Sequence, residues 1–402
     1  MSSFLEPNKG VRPLRRAAAT ASAALVVAVV VLTAVAAGAG VGNSRQIMVT
    51  NTGCAKGWNA PRSGAVAFDV TNRTPTTVDV QLLGTGSSRV YAEIFTLAAG
   101  TTRPLSATLE PGLYHWQCAS VDQALWTSVS RRVSGTAVAN PTPWYIPVGP
   151  DDLDAAVLTY RNSVTIGLVS LVGDTDRLKA LVDRGDLEAA KAQWLVAHLD
   201  YERLGAAYDT FGPFDTEIDG RPNGLPGGVH DPQFTGFLRV EYELWHNSSP
   251  AAVEPSVAQL DADVRGLQAA FPHQIMLNTD LPLRAHEILE NALQFELTGE
   301  TDQGSNTNLA TVSANIQGTQ ATVAALEPIL GPRDPQLLTS VTAGLASLQE
   351  LVDRYRMPDG WWVPVQSLDT SEREQLDGAV SSLLEQLSII PGSLRLFSVG
   401  AD

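Results

Sequence analysis

The chain has 402 residues, enough for two to three domains at the usual ~150 residues each. Hydrophobic residues make up 44% and charged residues 17%, a globular composition that excludes a disordered chain. Asp and Glu total 43 against 27 Lys and Arg, and a formal charge of -16 argues against a nucleic-acid partner, because phosphate binding needs a basic face.

Residues 1–44 read as an N-terminal signal peptide or signal anchor. Lys9, Arg12, Arg15 and Arg16 precede a charge-free run over 17–41, the pattern of export. Ala34-Val35-Ala36 and Ala37-Gly38-Ala39 both fit small-x-small cleavage sites, yet the run is long enough to remain as an anchor. The positive flank should stay in the cytoplasm, which puts everything after it in the periplasm or on the outer face of the cell membrane. Membrane contact is expected only through this segment, the one stretch read as apolar enough to cross a bilayer.

Residues 45–135 read as a β-sandwich. Short alternating runs recur over 46–50, 65–71, 77–83, 90–97, 102–109 and 113–118, separated by turn residues such as Asn72-Arg73-Thr74-Pro75 and Glu110-Pro111-Gly112. The chain's two cysteines, Cys54 and Cys118, both fall here; two cysteines rule out a disulfide-dense scaffold and a four-cysteine zinc site. In an oxidising compartment a pair within one small domain is expected to form a disulfide, ahead of service as thiolate metal ligands. Blue copper needs a thiolate, two imidazoles and an axial ligand. Cys118 is followed by neither His nor Met, and His115 is the domain's single histidine, so that centre is disfavoured.

Residues 136–150 carry Pro141, Pro143, Pro147 and Pro150 and read as a linker. From 151 to 402 the pattern is all-α. Helical periodicity covers 153–172, with 175–183 as a continuation, then 186–209, 234–246, 253–270, 281–297, 309–330, 336–356 and 371–387. This makes a bundle of about seven or eight helices. The Gly-, Pro- and Asp-rich segment 211–231 reads as an ordered loop.

Five of the six histidines lie in the helical part. His198 and Glu202, and likewise His286 and Glu290, stand four residues apart on one helix face, spacing that suits a metal or an ion pair. Glu243-Leu-Trp-His246 has the Glu-x-x-His spacing of di-iron bundles, but only one copy is present. His286-Glu287-Ile-Leu-Glu290 begins like the zinc-protease motif but has Glu where the second His is required. No nucleophile elbow and no P-loop occurs.

Four segments carry a resemblance to a known family: Ala197-His-Leu-Asp-Tyr-Glu-Arg-Leu-Gly205, Asp215-Thr-Glu-Ile-Asp-Gly220, the run from Asp231 to Trp245, and Arg284-Ala-His-Glu-Ile-Leu-Glu-Asn291. Together, in this order, they resemble the EfeO/EfeM family of imelysin-like proteins, which is also filed among the metallopeptidases. The resemblance implies a cupredoxin-like β-sandwich followed by an all-α imelysin-like domain. It implies a metal-binding, non-enzymatic component of an iron-uptake system, working beside an EfeU-like iron permease and an EfeB-like haem peroxidase. Carried over residue by residue, its metal ligands are Glu202, Asp219, Glu241 and either Glu287 or Glu290.

Two positions depart from the family pattern: Leu238 stands where the family has His in Gly-x-His-x-x-Glu, and Gly205 where many members have a carboxylate. His198, one turn before Glu202, is the candidate replacement imidazole. A mostly oxygen ligand set suits iron, ferric or ferrous, with zinc or copper as alternatives. The resemblance also offers Cys54, Cys118 and Glu93 as copper or iron ligands. The rival readings are a scaffold with a degenerate metal site and a metallopeptidase.

Overall fold

The computed structural model describes residues 45–120 and 124–394. The expected leader lies outside the described residues. Nine strands come first: β1 Arg45–Thr50, β2 Gly53–Lys56, β3 Gly64–Asn72, β4 Val78–Gly84, β5 Val90–Leu97, β6 Thr102–Leu109, β7 Gly112–Ser120, β8 Leu125–Thr127 and β9 Arg131–Val133. They form one sheet in the order β2-β1-β3-β6 and a second in the order β5-β4-β7-β8, with β9 also paired to β7. β1 and β3 run parallel, and the other pairs are antiparallel.

Alternation turns Phe68 and Val70 of one sheet, and Val80, Leu82 and Trp116 of the other, into a shared core. Trp58, Phe68 and Trp116 meet edge to face with centroids 5.1–6.0 Å apart. A disulfide joins Cys54 on β2 to Cys118 on β7, so it ties the two sheets together.

Residues 139–148 do not hang free. Tyr145 exchanges backbone hydrogen bonds of 2.8 and 3.0 Å with Val90, and Thr142 N donates to Thr108 O at 2.9 Å. The Arg89 guanidinium covers the Trp144 ring at 4.0 Å. At the other end Val148 enters the helical core. Arg333 donates to the carbonyls of Ile146 and Pro147, both at 2.8 Å, and to Asp152 at 3.0 Å. The proline-rich segment is therefore a strap docked on both parts, a reason for its ordered path that composition alone does not reveal.

The helical part comprises α1 Pro150–Asp183, α2 Leu187–Glu202, α3 Tyr208–Phe211, α4 Pro213–Asp219, α5 Gly236–Trp245, α6 Pro250–Ala270, α7 Asp280–Asn291, α8 Asn308–Arg333, α9 Pro335–Asp353, α10 Thr370–Leu387 and α11 Ile390–Ser393. The fold class is thus a β domain followed by an all-helical domain. Caps account for several boundaries: Asp186 accepts from Ala189 N, Asp334 from Leu337 N, and Asp369 with Glu372 makes a reciprocal capping box.

By length and composition, the helix over Asp151–Asp183 could cross a membrane, which corrects the expectation of a single such segment. Its inward stripe of Leu153, Tyr160, Val164, Leu168, Leu171 and Leu178 is buried in the bundle core. It packs against α2, α6 and α8. α8 is buried along most of its length, and its Gly318 lets α2 approach: a Cβ there would stand 2.9 Å from Arg203 O.

Candidate metal centre

Trp194, His198 and Glu202 follow one another at four-residue spacing and therefore share one face of α2. Trp194 fixes the register: its indole N–H donates to Phe237 O at 2.9 Å, and its ring stacks on His198 at 4.8 Å. Phe237 of α5 flanks the imidazole from another direction at 5.3 Å. Glu202 is oriented by α8, where Asn315 Nδ2 donates to its Oε2 at 2.7 Å.

Asp219 is the last residue of α4, which lies within the segment expected as loop. Proline at the first helical position and a Gly220 N–H that closes onto Thr216 O at 2.9 Å bound this short helix. Gly236 brings α5 onto its end. Its φ is +81°, and a Cβ there would lie 2.1 Å from Ile218 O, so only glycine permits the approach that places Asp219.

The result is a convergence of three side chains from two helices. His198 Nε2 is 3.3 Å from Glu202 Oε1 and 3.5 Å from Asp219 Oδ1. One ligand atom from each residue falls within 4.8 Å of the others. Donors held about 2.1 Å from a shared cation stand roughly 3–4.2 Å apart, so the two measured separations fit a common metal ion. Neither nitrogen of the buried imidazole has a hydrogen-bond partner of proper geometry, and neither does Asp219 Oδ1. Buried polar atoms are normally satisfied, and His198 Nε2, Glu202 Oε1 and Asp219 Oδ1 converge on one point, the arrangement that a shared cation needs.

Charge at the site is finely held. Burial lowers the His198 pKa, but the facing Asp219 and Glu202 carboxylates outweigh it and hold it well above its ordinary value. Burial pushes Asp219 up to about 7, with the Glu202 and Asp215 charges adding to it and His198 opposing. The carboxylates thus favour the protonated imidazole, and a cation that binds His198 competes with that proton.

Beside the centre lies a cavity of about 260 Å³ lined by Glu202, Asp219, Asp215, Glu287, Glu296 and Arg221, among others. Glu296 is a carboxylate that sequence reasoning missed. Burial pushes its pKa up to about 8, the Glu202 charge adds to the shift, and Asn308 and Thr301 hydrogen bonds oppose it. Its oxygens accept from Thr301 Oγ1 at 2.8 Å and Asn308 Nδ2 at 2.9 Å. A π-helical turn over Ala292–Glu296 follows α7, and such turns are frequent at functional sites. That change of period hides Glu296 from a reading at 3.6 residues per turn.

The other expected ligands have partners of their own outside this group of three. Glu241 is buried on α5 and accepts from the backbone N–H of Gln303 at 3.0 Å and Ser305 at 2.9 Å, so it pins the 302–306 loop. Burial raises its pKa to about 7. Glu287 borders the cavity but is paired with Arg284, which also binds Asp209. Glu290 is exposed and faces His286 at 3.9 Å. Leu238 is buried on α5, and the imidazole of the centre comes from α2. Gly205 lines the cavity, where a Cβ would meet Ile288 Cγ1 at 3.1 Å.

A β domain followed by a helical bundle with a buried histidine–carboxylate centre defines a two-part protein with a candidate metal site. The imelysin family model matches residues 156–390, and the chain belongs to that family. It is similar to the iron uptake system component EfeO of Escherichia coli (strain K12), at 27% identity over 351 residues, 87% of this chain and 91% of the relative. Proteins of the same name from Shigella flexneri and Shigella sonnei (strain Ss046) match at the same 27% identity and coverage.

Proposed function

We propose that this protein is an extracytoplasmic, non-enzymatic component of an iron-uptake system, which captures an iron ion at His198, Glu202 and Asp219 and passes it to a membrane permease. The observation that carries the reading is the buried imidazole whose Nε2 faces the Glu202 and Asp219 carboxylates at 3.3 and 3.5 Å beside a cavity. Iron as the metal is supported by relatives that are named iron uptake system components. One nitrogen and two or more oxygens suit iron in either oxidation state; zinc and copper fit the same donors, and as divalent ions they outrank ferrous ion in intrinsic affinity, so availability has to favour iron. Glu296 and solvent, across the cavity, complete the surroundings of the ion. Glu241 and Glu287 act at one remove: the first holds the 302–306 loop, and the second orients Arg284 on the cavity wall. Partners of the reading are an EfeU-like permease and an EfeB-like haem peroxidase, with export through the N-terminal segment.

The test is a titration of the purified protein with ferrous ion anaerobically and ferric ion aerobically, with zinc and copper compared. Glu202→Gln and Asp219→Asn should each abolish tight iron binding, whereas Glu290→Gln should leave it unchanged. Iron binding that survives both substitutions sinks the assignment.

One observation favours a second reading, a scaffold with a degenerate site. Leu238 removes the family's imidazole, and a protonated His198 between two carboxylates is also a buried ion pair in its own right. On that reading the native protein binds no iron, and Leu238→His creates affinity that it lacks.

A further inference from the structure

His198 begins a continuous row of aromatic rings. Its imidazole stacks on Trp194 at 4.8 Å, Trp194 meets Trp245 edge to face at 5.3 Å, and Trp245 meets Trp361 edge to face at 6.3 Å. The three indoles come from α2, the last residue of α5, and the loop after α9. Trp194 is 1% exposed, whereas Trp245 and Trp361 are half-buried, so the row leads from the candidate metal centre towards solvent.

Core packing needs large rings but does not need indoles, and indole gives up an electron far more readily than a phenyl ring. The polar contacts also differ along the row. Trp194 donates its N–H to a backbone carbonyl, which is too weak a base to take the proton, so a positive charge formed there is not trapped by deprotonation. At half-buried Trp361 water can accept the indole proton.

We propose that Trp194, Trp245 and Trp361 form a relay that carries oxidising equivalents away from the metal centre, so that the ligands survive peroxide. The proposal rests on the iron-capture reading. Hydrogen peroxide takes one electron from a bound ferrous ion and one from Trp194; its O–O bond breaks to give two hydroxides, leaving ferric ion and the Trp194 radical cation. Trp245 refills Trp194, and Trp361 refills Trp245. Trp361 then loses its indole proton to water and remains as a neutral radical. A phenolic reductant in solution restores it by giving up a hydrogen atom and becoming a phenoxyl radical. The Lys191 ammonium, 5.6 Å above the Trp245 ring, opposes positive charge at the middle station.

The test loads the full chain with ferrous ion, adds one equivalent of hydrogen peroxide, and follows three readouts. These are the radical by electron paramagnetic resonance, the oxidised residues by peptide mass mapping, and the iron-binding capacity that remains. In the native protein an indole radical and oxidation at Trp361 are expected. Trp245→Phe keeps a ring in the core and cuts the relay. Oxidation then moves to Trp194 and His198, and binding capacity is lost several-fold faster. Trp361→Phe, at the half-exposed end, should act in the same direction, and Lys191→Gln should increase oxidation at Trp361. Equal ferrous affinity in native and Trp245→Phe proteins, with the same oxidation map and the same rate of loss, overturns the relay alone. A native protein that binds ferric but no ferrous ion overturns the relay, and one that binds neither overturns the iron-capture reading as well.

Discussion

His198 and Glu202 are legible in the sequence because four-residue spacing on a helix is itself a statement about space. Asp219 is not legible that way, since nothing local says that a Gly- and Pro-rich segment folds its acid back against α2; only the family resemblance pointed to it. Gly236 is the residue that makes the return possible, and it tests the argument at this scale. Gly236→Ala puts a Cβ 2.1 Å from the Ile218 carbonyl, at a φ of +81° that alanine rarely adopts. The expected cost is about 1–3 kcal/mol in urea unfolding. Iron affinity should fall as well, because α4 must shift and take Asp219 with it. Unchanged affinity would show that Asp219 is not held by this contact. Protons give a second test at the same residues. His198 is held protonated by its carboxylate neighbours, and the metal needs it neutral. Affinity should therefore weaken as pH falls from 8 to 6, by about tenfold per unit for each proton displaced. A flat profile, followed by isothermal titration, would mean that His198 is not a ligand.

At the scale of elements, periodicity located the long helices well and erred at some ends and in the short elements. Gly173-Asp174-Thr175 breaks the apolar stripe, and α1 runs straight through it into 175–183, the expected continuation. Asp174 is bound by Arg177 and by Gln193 Nε2 at 3.0 Å, and Thr175 Oγ1 donates to Val172 O at 3.1 Å and to Asp261 at 3.0 Å. Long-range partners of this kind are invisible to a local pattern. The run 186–209 is too long: α2 ends at Glu202, and a tight turn over Gly205–Ala207 leads into α3. β2, β8 and β9 are three or four residues long, too short for alternation to register. β2 nonetheless carries Cys54, and the bridge to β7 closes a loop with a sequence separation of 64. Cys54→Ser with Cys118→Ser should lower the stability of the β domain by about 4 kcal/mol. The chemical denaturation midpoint of tryptophan fluorescence measures it, since Trp58 and Trp116 report on this core.

Over the whole molecule the excess acid is not all on the surface, and the buried share sets how stability responds to pH. Asp219 and Glu241 have pKa values pushed up to about 7, and Glu296 to about 8, in each case chiefly by burial. In the unfolded chain such groups release their protons near pH 4. Between roughly pH 4 and 8 the folded state therefore holds more protons than the unfolded state, and stability falls as pH rises through that window. His198 adds to the same trend: its contribution is full below the ordinary histidine value and is lost as pH rises through its raised folded pKa. The metal-free protein should thus melt at a lower temperature at pH 7.5 than at pH 5.5, the reverse of acid denaturation driven by salt-bridged carboxylates. On the proposed function ferrous ion binds the deprotonated centre, and it should therefore stabilise more at pH 7.5 than at pH 5.5 and so flatten the slope. Glu296→Gln keeps the shape of the side chain without its charge, and should raise the metal-free melting temperature at pH 7.5 while leaving it near the native value at pH 5.5. Differential scanning calorimetry at the two pH values, with and without anaerobic ferrous ion, reads all of these. A metal-free melting temperature that rises from pH 5.5 to 7.5 would mean that these buried acids are ionised in the fold, and that the centre is built as an ion-pair network rather than as a proton-filled site waiting for a cation.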